Sequence, residues 1–427
     1  MKTLPPPKPS LDLETEGATP LAGNPTAPAE PARGRRRDRL AKRVRSVAPS
    51  GIRRFFDLIQ TMDDVISLGV GEPDFTTPWH IREAAIYSLE RGQTMYTSNL
   101  GLIELRRAIA EHLARRYGVI YEPNDEVLVT LGVSEGLDLA LRAIVDPGDE
   151  VLIPDPGYVS YAPGVTFSGG AVKAVPTRPG TGFRPTPAEF RQQITDRTRA
   201  VLLGYPNNPT GAAPDRPVLE EIARVIAEND LLAVSDEIYD RLVYGREHVC
   251  FASLPGMRER TILLGGFSKA YAMTGWRIGY AAAPRELLAG LVKIHQYTAL
   301  CASITSQVAA IEALRSGEGD VLTMRDEYDR RRRVIVKGLN DVGLDCPMPE
   351  GAFYAFPSVA RLGQTDEEFA ERLLLEERVA VVPGSAFGEC GRGHVRCCYA
   401  TSLAQIDEAL KRIRRYVERH AANSAVR

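Results

Sequence analysis

From Glu126 onward, short apolar runs rich in Val, Ile and Leu alternate with amphipathic stretches, a spacing that predicts buried strands joined by helices. The expected strands cover 126–131, 150–154, 171–175, 200–205, 231–235, 261–265 and 277–283, with helices such as 136–145 and 218–228 between them. Runs that are apolar on both faces suit a mostly parallel, seven-stranded sheet covered on both sides. After about residue 300 the pattern changes. Long helical periods at 305–315 and 321–339 are followed by a few short strands and a closing helix at 405–420, which predicts a smaller α+β domain. The expected division is a large α/β domain over 86–304, a small domain from 35–85 and 305–427, and a disordered Pro-rich tail over 1–34.

Composition narrows the function by exclusion. With 427 residues the chain is long enough for two domains, and 53 Lys+Arg against 55 Asp+Glu give no reason to expect a nucleic acid or an anionic membrane as partner. No apolar run reaches the ~20 residues that span a bilayer, and no secretory leader is visible, so a cytoplasmic location is expected. The basic run Arg33, Arg35, Arg36, Arg37 and Arg39 reads as a solvated hinge. Asp12, Glu14 and Glu16 upstream argue against a transit peptide. Six cysteines are too few for a disulfide framework. Cys390, His394, Cys397 and Cys398 have zinc-ligand chemistry, but strand alternation over 395–399 sends Cys397 and Cys398 to opposite faces. They read as small buried thiols, and no metal is expected.

In open α/β sheets ligands gather at the carboxyl ends of the strands, so the residues just after each run matter most. Gly266-Phe267-Ser268-Lys269 follows one of them. A lysine in a partly enclosed site can lose its proton near neutrality and condense with an aldehyde, and Ser268 and Arg277 bracket it with phosphate-holding groups. Taken alone, such a lysine is usually a surface residue. Asp236 ends the run at 231–235, with Tyr239 three residues on; alone, this acid would pass for a helix cap. The segment Tyr205-Pro206-Asn207-Asn208-Pro209-Thr210-Gly211 is a constrained loop whose Asn208 amide can meet a ligand, though it could equally be a plain turn. At Thr130-Leu131-Gly132-Val133-Ser134-Glu135-Gly136 a strand passes into a helix whose first N–H groups can receive a phosphate at Val133, Ser134 and Glu135. Neither a G-x-G-x-x-G nor a P-loop signature is present.

Together with Gly69-Val70-Gly71-Glu72-Pro73-Asp74-Phe75, Tyr96-Thr97-Ser98-Asn99-Leu100-Gly101 and Val395-Arg396, these segments recur in an order that resembles the class I aminotransferases of pyridoxal-phosphate (PLP) fold type I, from about Arg43 to Tyr416. The resemblance implies an enzyme that transfers the amino group of an L-amino acid to a 2-oxo acid, commonly 2-oxoglutarate, by a lysine-mediated ping-pong mechanism. It implies Lys269 as the Schiff-base lysine, Asp236 on the pyridine nitrogen, and Tyr239 with Asn208 on the phenolic oxygen. Val133, Ser134, Glu135, Ser268 and Arg277 would hold the phosphate, and Tyr158 would lie over the ring. Tyr96 would reach the phosphate of a neighbouring subunit, which implies a homodimer. Arg396 would grip the substrate carboxylate, with Gly71 and Asn208 beside it. Two positions depart from many relatives: Gly266 stands where a third hydroxyl or amide is common, and Tyr158 where several have tryptophan. The same scaffold also supports C–S β-lyases and PLP-sensing regulators. The substrate stays open, and Arg142 reads either as a contact for a distal carboxylate or as a solvent-facing arginine.

Overall fold

The computed structural model describes residues 39–49 and 62–424. The Pro-rich stretch and the basic run, apart from the exposed Arg39, lie outside the described residues. The strands in chain order are β1 (Ile66–Ser67), β2 (Val127–Thr130), β3 (Glu150–Asp155), β4 (Ala171–Pro176), β5 (Thr198–Gly204), β6 (Leu232–Asp236), β7 (Thr261–Gly266), β8 (Gly279–Ala282), β9 (Tyr354–Ala355), β10 (Val379–Ala380), β11 (Val382–Pro383) and β12 (Val395–Cys398).

Seven of them form the expected sheet, in the order β2-β8-β7-β6-β5-β3-β4. Apart from the edge strand β4, half of whose residues are exposed, its strands are buried on both faces, because helices cover each side. β8 alone runs antiparallel to both its neighbours. The carboxyl ends of β2, β3, β5, β6 and β7 therefore open on one edge, and Thr130 and Gly266 meet across Gly279 of β8. The helix Val133–Ile144 packs Leu137, Ala140, Leu141 and Ile144, a 3.6-residue stripe, against Leu264 of β7 and Leu288 and Leu291 of the helix Arg285–Thr298. Each fully buried leucine contributes about 1.5–3 kcal/mol. That packing anchors the start of the helix at the sheet edge.

A second apolar cluster lies around the short strands. β1 pairs with β10 in parallel, and β11, β12 and β9 form an antiparallel sheet in which Val382 faces Arg396 and Cys398 faces Tyr354. Ile335 and Leu339 of the helix Glu318–Asp341 and Ile406, Ile413 and Tyr416 of the helix Leu403–Ser424 cover them. Cys397 and Cys398 are both buried, and burial raises both thiols, that of Cys398 to about 11. No helix among the described residues is long and apolar enough to cross a membrane.

Candidate active site

The strand ends deliver the chemistry. β6 ends on Asp236, β7 leads through Gly266 to Ser268 and Lys269, and β5 leads from Gly204 into the Asn208 loop. They border a cleft of about 1280 Å³ that also takes in Gly71, Val133, Ser134, Tyr158, Tyr239, Arg277 and Arg396.

Lys269 donates from Nζ to the Gly71 carbonyl at 2.7 Å, and the rings of Phe353 and Tyr239 lie 5.7 and 6.0 Å from the same atom. Burial, followed at a distance by the like charges of Arg396 and Arg277, draws the amine down to about 8. A useful fraction is therefore neutral near physiological pH. Asp236 is buried at the sheet edge, and desolvation pushes its carboxyl up to about 6. Its Oδ1 accepts the Ile238 N–H at 3.2 Å, and its Oδ2 accepts the hydroxyl of Tyr161 at 2.9 Å. Tyr239 and Tyr354 share a hydrogen bond of 2.7 Å between their hydroxyls. Burial first, then the neighbouring phenol, keeps Tyr239 protonated well above the usual tyrosine range.

Arg396 lies between the rings of Tyr354 and Phe387, 4.6 and 4.9 Å from their centroids. Its Nη1 donates to Asn208 Oδ1 at 2.8 Å and its Nη2 to the Gly69 carbonyl at 2.7 Å, while Nε has no hydrogen-bond partner although buried. At the other end of the cleft the helix Val133–Ile144 opens on Gly132, at φ 81°. A Cβ there would stand 2.8 Å from Arg277 Nη2, so glycine serves both the left-handed turn and the approach of the guanidinium. Arg277 is held by the carbonyls of Thr274 and Leu131 at 3.2 and 3.3 Å. At Gly266 an added Cβ would be 3.1 Å from both Val133 Cγ2 and Ile238 Cδ1. A hydroxyl-bearing side chain at that position would have to displace those methyl groups.

Three sequence-derived residues sit differently from the rest. The side chain of Glu135 turns away from the cleft, pairing with His295 Nδ1 at 2.9 Å and accepting the Leu131 N–H at 2.7 Å, so only its backbone N–H belongs to the helix terminus. Tyr96 is exposed and does not border the cleft. Arg142 pairs with Asp138 one helical turn back, at 3.2 Å on the surface, which is the solvent-facing reading. The sequence reading missed Tyr161 and Tyr354. Tyr161 carries a faint signal, three residues beyond Tyr158 in the same post-strand segment, whereas Tyr354 carries none because β9 is two residues long.

The model for aminotransferases of class I and II matches residues 63–413. A putative aminotransferase, YugH, of Bacillus subtilis (strain 168) is 50% identical over 380 residues, covering 89% of this chain and 98% of the relative. An aspartate aminotransferase of Pyrococcus abyssi is 46% identical over 377 residues, 88% of this chain and 97% of the relative. The crystal structure of an aromatic aminotransferase from Pyrococcus horikoshii superposes with a TM-score of 0.82 at 46% identity, covering 86% of this chain and 99% of that one. The second and third are named for different substrates, aspartate and aromatic amino acids, but all three are named as aminotransferases. The chain belongs to the class I and II aminotransferases, with the aspartate aminotransferase-like fold of that family, and it is an enzyme that transfers amino groups.

Proposed function

We propose that this aminotransferase works with pyridoxal phosphate on Lys269 and moves the amino group of an L-amino acid to 2-oxoglutarate in two half-reactions. The observation that carries the reading is the buried Lys269 amine, lowered to about 8, sharing one cleft with the buried carboxylate of Asp236 and the arginines Arg277 and Arg396. The residues present fit the coenzyme. Asp236 is a buried acid at the sheet edge, suited to a protonated ring nitrogen. The N–H groups of Val133, Ser134 and Glu135 at the helix start, the Ser268 hydroxyl and the Arg277 guanidinium suit a phosphate dianion. Tyr239 and Asn208 would meet the phenolic oxygen, and Tyr158 would lie against the ring.

When bound, the coenzyme supplies an electron sink for the bond to the substrate's Cα hydrogen. The chain does the rest. Arg396, fixed by Gly69 and Asn208, receives the α-carboxylate on its open edge and orients the Cα–H bond. Lys269 Nζ, partly neutral, takes the Cα proton and holds it beside Gly71. The second 2-oxo acid uses the same arginine in reverse.

The reading extends to assembly and setting. A homodimer in which Tyr96 reaches the other subunit's phosphate site is supported by the exposure of that side chain. The free thiols of Cys250, Cys346, Cys397 and Cys398 suit the cytoplasm. We propose a large domain over 86–304 and a small one from 35–85 with 305–427, supported by the separate apolar cluster that Ile66, Leu68, Ile335, Leu339, Ile406 and Ile413 build around the short strands. The test is reconstitution with pyridoxal phosphate followed by a panel of amino donors against 2-oxoglutarate and pyruvate. Wild type should gain visible absorption and turn over; Lys269→Ala should do neither. Full turnover by Lys269→Ala would refute the assignment.

A further inference from the structure

Among the described residues each oxygen of the Asp236 carboxylate takes one donor, and only one of these is a side chain: the Tyr161 hydroxyl, 2.9 Å from Oδ2. That hydroxyl comes from a different element, the helix Tyr161–Ser168 that follows β3. It reaches Asp236 across β5, where Gly204 is the register partner of Asp236. A Cβ at position 204 would stand 2.1 Å from the Tyr161 oxygen, so the phenol occupies the space that glycine leaves open. The same ring meets that of Tyr158 edge-to-face, with centroids 5.5 Å apart. Tyr161 thus touches both the acid at the end of β6 and the residue placed against the coenzyme ring.

The charged groups around the acid can be named. Burial raises the Asp236 carboxyl most; the Tyr161 hydrogen bond and the Ile238 N–H oppose it, Glu237 adds to it, and Lys269 opposes it. Glu237 is itself engaged by His248 at 2.7 Å, by the Ser235 hydroxyl at 2.9 Å and by the Phe251 N–H at 2.8 Å. The buried Tyr161 phenol is held well above the ordinary range, by burial first and then by the charge of Asp236, so it donates throughout the working pH range.

We propose that Tyr161 is a positioning residue for the reaction, its hydroxyl orienting the Asp236 carboxylate toward the coenzyme's ring nitrogen and favouring its charged form. The proposal rests on the pyridoxal-phosphate reading above. A hydrogen bond to the ionised form of a buried acid is what offsets its desolvation. Without it the carboxyl keeps its own proton more readily and the ring nitrogen loses its counter-charge.

The experiment loads wild type, Tyr161→Phe and Gly204→Ala with pyridoxal phosphate labelled with 15N in the ring and follows the nitrogen signal against pH. Single-turnover rates with an amino donor are measured in parallel, using both this coenzyme and an analogue with carbon in place of the ring nitrogen. In Tyr161→Phe the pH at which the nitrogen loses its proton should fall by roughly one unit. The single-turnover rate should drop about tenfold with less than about twofold change in apparent donor affinity. With the carbon analogue, wild type and variant should be equally slow. Gly204→Ala keeps the hydroxyl but pushes it off the carboxylate, so it should show the same shift and stands in if Tyr161→Phe does not fold. An unmoved nitrogen midpoint, or the same loss with the carbon analogue, overturns the proposal. Failure of wild type to take up the coenzyme sinks the earlier reading instead.

Discussion

Arg396 is 4% exposed and still keeps Nε unpaired. A buried guanidinium N–H without an acceptor is unfavourable, and the substrate carboxylate proposed to bind there would supply one. Arg396→Ala should therefore weaken amino-acid binding by about 2–5 kcal/mol, seen as a rise in the donor concentration that half-saturates the single-turnover rate. Unchanged saturation would assign the carboxylate to another residue. Lys269 makes a prediction of a different kind. Because burial lowers its amine to about 8, the neutral fraction grows as pH rises through that value and is nearly complete above it. The rate at which coenzyme-free protein takes up pyridoxal phosphate should climb through about pH 8 and level off. A climb that continues through the ordinary lysine range of about 10 would mean an exposed amine.

His80 bridges three helices, and its geometry fixes its charge. It lies in the helix Trp79–Glu90, with Nδ1 3.1 Å from Glu312 of the helix Ile304–Ser316 and Nε2 3.0 Å from Asp320 of the helix Glu318–Asp341. A neutral imidazole offers one N–H, so both contacts are satisfied only when the ring is protonated. Burial pulls the ring's pKa down, but the hydrogen bonds and charges of Asp320 and Glu312 outweigh it and raise the value. The stabilisation is then complete below the unfolded value of about 6.5 and fades as pH climbs through the raised folded value. His80→Gln should lower Tm by roughly 1–2 °C at pH 6, since a partly exposed pair is worth about 1 kcal/mol or less. The gap to wild type should narrow in alkaline buffer; a constant gap would remove the charge from the account. The sheet strands and main helices were legible in the sequence because burial on two faces or on one stripe leaves a repeating pattern. The two-residue strands β1, β9, β10 and β11 were not, since two residues hold no period. The contacts of Tyr161 with Asp236, 75 positions apart, and of Tyr239 with Tyr354, 115 apart, could not be read because they exist only after folding. The strand-end residues Lys269, Asp236, Asn208 and Arg277 were readable because the sheet places their loops in one row.

Among the described residues the three most exposed large apolar side chains lie on two joined segments. Met95 and Tyr96 lie on one and Tyr297 on the other, and Asn99 ties the segments together by donating to the Leu300 carbonyl at 2.8 Å. Such a surface is unfavourable in water and suits a second copy of the chain. If Tyr96 completes the other subunit's site, subunits carrying Tyr96→Ala and subunits carrying Lys269→Ala should each be poorly active alone. Refolded together, they should regain activity through hybrids with one complete site. Sedimentation of a monomer, or no gain on mixing, would count against the shared site.

One short piece of backbone reaches both working ends of the cleft. The carbonyl of Gly69 steadies the Arg396 guanidinium, and that of Gly71, two residues on, holds the Lys269 ammonium. On the proposed reading, recognition and proton transfer would hang from a single strap, itself tied to the C-terminal strands through Ile66 and Leu68. A substitution that shifts this strap by even a fraction of an ångström should then be felt in KM and kcat together, so that neither could be retuned there alone.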